Sequence, residues 1–347
     1  MVHEGELKNL HQHGDKALDF LETHEAITYT KEEEKAVLRK IDKVLIPLTL
    51  GSYTIQYMDK SVMAQTTIYD LFTSLGLHGQ QYSWCSAIFY FGYLAFQSIL
   101  ARLLNYVPLG RFVTHTSPAE ALTDVKVWYG FFYAIACVVP ATSVANFGSL
   151  IINGFGFGTF ETSLLNCPLG VVQDMTLIAV GYIAYTYKDN RCLMQILCNI
   201  PAVIGSVLVY ALPQKNRVGR LLGFYMTPTT NGSLPMLFAL TTTNIAGHTK
   251  TSVATSVLFL GYCAGFIIGP QFFLTSQAPR YQTGFQEMIV LFALSSSMPA
   301  FYWLFAKHLN RQKARKLQEM QGADQHIENE EFFDLTDKQQ QHFVYSM

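Results

Sequence analysis

The sequence predicts an all-α, polytopic membrane protein with about eight transmembrane helices, counted at roughly 20 apolar residues per crossing. Three observations carry this reading. Charge is concentrated at the ends: of 49 charged residues, 16 lie in 1–42 and 13 in 307–347, which leaves 20 for the 264 residues between. That middle holds charge-free runs at 71–101, 127–160, 192–214, 221–249, 251–279 and 288–306. A soluble domain could not fill so many long uncharged segments and still present a polar surface. Lastly, the runs lack the alternation of strands, so helices must satisfy the backbone in lipid.

In chain order, residues 1–42 read as a solvated cytosolic arm that ends in a charge-rich helix from Lys31 to Lys43. The expected spans are 44–66, 82–104, 127–147, 171–187, 192–212, 221–243, 252–275 and 288–307. The glycine-rich piece 148–170 is left unassigned. The chain thus divides into the arm (1–42), three helices (43–147), a C-terminal membrane bundle (148–306) and a cytosolic tail (307–347). Lys and Arg of the short loops set the orientation. Loop 67–81 has none and is expected outside, whereas Arg111, Lys126, Lys188, Arg191, Lys250 and the basic start of the tail are expected inside. Both termini are then cytosolic. Loop 213–220, with Lys215, Arg217 and Arg220, dissents.

Several functions are disfavoured. A net charge of −1 with no basic field gives nucleic acid no footprint. The six cysteines form no CxxC pair, so neither a metal site nor a disulfide framework is expected. No HExxH or GxSxG is present, and nothing points to an enzyme or a cofactor. The run Gly154-Phe155-Gly156-Phe157-Gly158 lacks the preceding strand and following Lys of a phosphate loop. No apolar segment marks the first 40 residues as a cleavable signal.

Polar side chains inside spans are the candidate sites, because they should face a cavity or another helix. The second span carries Tyr82, Ser86, Tyr90, Tyr93 and Gln97 at helical spacing on one face. The first carries Tyr53, Gln56 and Lys60, with Tyr57 beside them and Asp59 adjacent to Lys60. The same residues also suit an interfacial belt and a snorkelling ion pair. Gly261, Gly265 and Gly269 recur every fourth residue ahead of Pro270, a pattern that lets two helix backbones approach closely.

Several motifs, in order, resemble the allantoate permease branch of the anion:cation symporters, a mainly fungal part of the major facilitator superfamily. They are Tyr53-Thr54-Ile55-Gln56-Tyr57-Met58-Asp59-Lys60, Gln81-Tyr82-Ser83-Trp84 and Ile88-Phe89-Tyr90-Phe91-Gly92-Tyr93-Leu94. The loop Pro108-Leu109-Gly110-Arg111 follows, then Asn244-Ile245-Ala246-Gly247-His248-Thr249-Lys250, Gly265 through Gln271, and Ala278-Pro279-Arg280-Tyr281. The resemblance spans 40–306 and implies a major-facilitator-like bundle in the plasma membrane. It implies symport of a small organic anion with protons, such as allantoate, ureidosuccinate or a vitamin carboxylate. Tyr53, Gln56, Lys60, Tyr90 and Tyr93 would line the cavity.

The chain departs from the pattern at Phe266, where the family has Asn, at Thr251, where a second basic residue is usual, and at Gln97, where an acid is typical. The segment after Phe147 resembles the end of the family's seventh helix, so the fourth to seventh helices are expected to be missing. A non-transporting remnant, a mispredicted coding sequence or a membrane interaction protein acting through its tails is the alternative reading.

Overall fold

A computed structural model describes residues 30–69, 71–106, 118–187, 189–278, 280–319, 336–337, 340 and 343–347. Among them there is no strand. The helices are α1 (Lys31–Thr66), α2 (Leu71–Ser74), α3 (Gln81–Tyr106), α4 (Pro118–Thr123), α5 (Val125–Gly154), α6 (Thr159–Thr186), α7 (Arg191–Ala211), α8 (Arg217–Met226), α9 (Ser233–Asn244), α10 (His248–Ile268) and α11 (Gln282–Glu319). Every expected span coincides with a helix or helix pair. Five helical stretches, α5, α6, α7, Lys250–Phe272 and Gln282–Arg315, are both long and apolar enough to cross a membrane among the described residues. The arm before Thr30 and the Pro108–Arg111 motif lie outside the described residues.

Local chemistry explains the boundaries. The α1 start is a capping box: Thr30 Oγ1 accepts from Glu33 N, and Glu33 Oε2 accepts from Thr30 N at 2.9 Å. The unassigned piece 148–170 belongs to two helices rather than to a segment of its own. α5 continues through Phe147 to Gly154, and α6 begins at Thr159. The turn needs Gly156, whose φ is +92°. Glu161 then accepts from Gly158 N at 3.1 Å and places a carboxylate in the first turn of α6, where the helix dipole favours it. The expected sixth span is broken. A 3-10 turn at Thr227–Gly232 separates α8 from α9 around Pro228, with Asn231 Nδ2 donating to Gln173 Oε1 at 3.2 Å.

Two helix pairs organise the packing, α5 with α10 and α7 with α11. One end of the bundle gathers the α5–α6 turn, the starts of α8 and α11, and α2 around an aromatic cluster of Phe147, Phe155, Phe224, Phe273, Tyr281 and Phe285. Here the dissenting arginines find partners. Arg217 Nη1 donates to Gly156 O at 2.8 Å, and Arg220 Nε donates to Val209 O at 3.2 Å beneath the Phe155 ring. Cations tied to carbonyls and an aromatic face are compensated locally, a provision that counting Lys and Arg cannot register. The opposite end brings together Asp124, Lys126, Arg191, Asn244, Lys250 and the C-terminal residues.

Candidate functional site

The sequence-predicted cavity residues sit on α1 and α3. Tyr53 is exposed on α1, and Leu45, Ile46, Leu48, Leu50 and Ile55 around it are exposed as well. Gln56 and Lys60 lie one and two turns further along α1. Their side chains, with those of Tyr57, Asp59 and Gln97, lie outside the described residues.

On α3 the polar stripe is largely enclosed. The Tyr82 hydroxyl donates to Asn146 O at 2.9 Å, and its ring packs against Phe72 and Phe147. Ser83 donates to Pro270 O at 2.9 Å, and Ser86 is buried one turn later. Tyr90 is buried with its ring stacked on Phe266, centroids 4.0 Å apart. The aromatic at 266 thus covers a tyrosine that an asparagine could not cover in the same way. Tyr93 remains 43% exposed. The structure therefore encloses Tyr90 against α10 and leaves Tyr53 and Tyr93 exposed.

The glycines face α5. A Cβ placed on Gly261 would stand 2.5 Å from Phe131 O, one on Gly265 2.8 Å from Val138 Cβ, and one on Gly269 2.6 Å from Val139 O. Real side chains do not approach so closely, so these backbones meet only because the positions are glycine. Gly205 on α7 and Gly223 on α8 face each other in the same manner. That second contact joins glycines from different helices, so no spacing in the sequence marks it.

Sequence reasoning misses the polar groups buried in the C-terminal bundle. Asn199 on α7 is fully buried; its Nδ2 donates to Tyr133 OH at 3.1 Å and Ser295 O at 3.0 Å, and its Oδ1 accepts from Thr230 at 2.7 Å. Glu287 falls just before the last expected span, but α11 starts at Gln282 and places it inside the bundle. Ser143 Oγ reaches Glu287 Oε2 at 3.5 Å and Gly269 O at 3.3 Å. Asn199 is satisfied at both ends of its amide and so fixes helix rotation, whereas Glu287 Oε1 is buried without a hydrogen-bond partner. The signal available in the sequence is a lone polar residue inside, or at the edge of, an apolar run.

No family model matches the chain. It is 31% identical over 226 residues to an uncharacterized transporter of Schizosaccharomyces pombe, covering 65% of the chain but only 43% of that relative. It is 24% identical to the MFS-type transporter cnsL of Penicillium expansum over 444 aligned positions, covering 94% of the chain and 91% of the relative. It is 21% identical to the allantoate permease of Saccharomyces cerevisiae over 493 aligned positions, covering 96% and 90%. Each of the two longer alignments exceeds the 347 residues of the chain itself. With these similarities and its bundle of apolar helices, the chain is an all-helical, multi-pass membrane protein with a major-facilitator-like bundle.

Proposed function

We propose that the chain carries a small organic anion across a membrane, in symport with protons, at a site between its N-terminal helices and its C-terminal bundle. The observation that supports this most is near full-length similarity to proteins named as transporters, allantoate permease among them. Lys60, with Gln56, Tyr53, Tyr90 and Tyr93, would receive the substrate carboxylate, a cation and hydroxyls being the groups that replace its lost hydration. Repeats rocking about a midplane site would move it. Substrate class is tested by thermal stability of the purified chain in detergent. A ligand that binds the folded state alone raises the melting temperature as its concentration exceeds the dissociation constant. A panel of small carboxylates should include at least one that shifts it, whereas their amides should not. A flat panel would remove the anion-binding site.

A second reading, a remnant that inserts but carries nothing, is favoured by the alignment lengths. They exceed the chain by about a hundred positions or more, the size of four helices at roughly 20 to 25 residues each. The broadly exposed α1 fits the loss of helices that would otherwise flank it.

Plasma-membrane placement with both termini cytosolic completes the proposal. Among the described residues, the end carrying Lys126, Arg191, Lys250 and Lys313 would face the cytosol and the aromatic end the exterior. Glycosylation tags at Met1 and Gly76 check this: modification at Gly76 alone is expected, and modification at Met1 would reverse the orientation.

A further inference from the structure

Two lysines from different helices are buried side by side at the end assigned to the cytosol. Lys126, in the first turn of α5, is 5% exposed, and Lys250, in the first turn of α10, is 1% exposed. A buried ammonium group is costly unless carboxylates and hydrogen bonds surround it. Asp124 supplies one partner, 2.7 Å from Lys250 Nζ, and Glu120 another at 3.3 Å. The third comes from the far end of the sequence: Asp337 binds Lys250 at 2.7 Å and also pairs with Lys126. Tyr345 donates its hydroxyl to the same carboxylate at 2.8 Å and lays its ring 4.4 Å from Lys126 Nζ.

The main chain of this terminal segment is read as closely as its side chains. Asn244, at the end of α9, donates to Ser346 O at 2.8 Å and accepts from Ser346 N at 2.7 Å. Asn310 on α11 does the same for Tyr345, both bonds at 2.9 Å. Arg191 N donates to Met347 O at 2.9 Å. Two asparagines that each pair with both the N–H and the C=O of one residue form a receptor for extended backbone. The Asn244–Lys250 motif, whose turn depends on Gly247 at φ +94°, supplies a peptide-reading amide at one end and an ammonium group at the other.

From this convergence we propose that the cytosolic face holds a peptide-binding site whose ligand is the chain's own C-terminal segment, and that the docked segment is a detachable latch bracing α5, α7, α9, α10 and α11. Thr336–Asp337 and Phe343–Met347 are its described contact residues. The charge on Asp337 selects it, and Tyr345 seats it. The proposal concerns docking alone and stands whether or not the chain transports.

Burial pushes the Asp337 carboxyl up, but Lys126 and then Lys250 outweigh burial and hold it below the ordinary aspartate value. A depressed carboxylate contributes to docking above its undocked pKa, and the contribution is lost only as pH falls through the lower docked one. The other groups facing it are Asp124, Glu120, Tyr302, Tyr345 and Lys313. Docking is therefore expected to be flat between about pH 5 and pH 8, both above the ordinary aspartate pKa.

The test is electron paramagnetic resonance of a nitroxide at Val344→Cys, an exposed neighbour of the contacts, in the full chain with Cys85 and Cys167 replaced by Ser. The expected spectrum is immobilised and unchanged across that pH range. Asp337→Asn should raise the mobile-to-immobile ratio by roughly tenfold, as for loss of a charge-assisted contact. Tyr345→Phe, which deletes one hydroxyl, should raise it less, and excess free peptide of residues 336–347 should raise it in the unaltered chain. A mobile spectrum at neutral pH, or Asp337→Asn and Tyr345→Phe spectra that both match the parent, would overturn the latch. Should Asp337→Asn fail to fold, Tyr345→Phe and peptide competition decide.

Discussion

Gly261→Ala is expected to destabilise the protein although it adds a single methyl group and alanine is the better helix former. The new Cβ would sit 2.5 Å from Phe131 O, a backbone atom that no rotamer change can move. α5 and α10 must then separate along the whole seam that Gly261, Gly265 and Gly269 form with it. Overpacking of this kind costs about 1–3 kcal/mol, and in lipid the loss falls on close van der Waals contact, which is what drives helix association there. Gly265→Leu should do more, because its Cβ already stands 2.8 Å from Val138 Cβ before the rest of the side chain is added. Gly181 on α6 is the control, since a Cβ added there meets nothing within 4 Å, so Gly181→Ala should be neutral or slightly stabilising. Monodisperse yield and melting temperature in detergent measure all three. Equal stability of Gly261→Ala and Gly181→Ala would remove the packing role.

Lys60→Gln is expected to abolish concentrative uptake, by tenfold or more if a full charge interaction with substrate is lost. Gln keeps hydrogen-bonding capacity at this position but not the charge. A neutral side chain cannot offset the dehydration of a carboxylate, so the loss should appear in substrate binding rather than in insertion. Asp59, adjacent in sequence, would balance Lys60 when the site is empty. Lys60→Arg retains the charge with a different geometry and should keep part of the activity. Uptake of labelled carboxylates, in cells without permeases of their own and at matched membrane abundance, separates these outcomes. Uptake that survives Lys60→Gln would preserve the transporter and discard this site.

Much of the architecture is legible in the sequence because lipid leaves the chain few choices. Charge-free runs mark where helices stand, and the glycine triplet marks a face that the α5 backbone meets. Boundaries are less legible. The glycine-rich 148–170 piece stays unassigned in the sequence, although only the turn between Gly154 and Thr159 interrupts the helices. In loop 213–220, Arg217 and Arg220 are tied to Gly156 O and Val209 O, partners that a loop-by-loop count of Lys and Arg ignores. The candidate site rests on polar residues at helical spacing within spans and on the motif resemblance. Spacing places Tyr82, Ser86 and Tyr90 on one face of α3 but cannot show that this face turns into the packing against α5 and α10. Nor can it connect Asp337 with Lys126, more than two hundred residues away.

Uptake by the purified chain in proteoliposomes measures transport itself. With an inward proton gradient, a labelled small carboxylate should accumulate above its external concentration, and collapsing the gradient should release it. A chain that is folded and correctly inserted, yet admits no more label than protein-free vesicles with or without the gradient, would rule out transport.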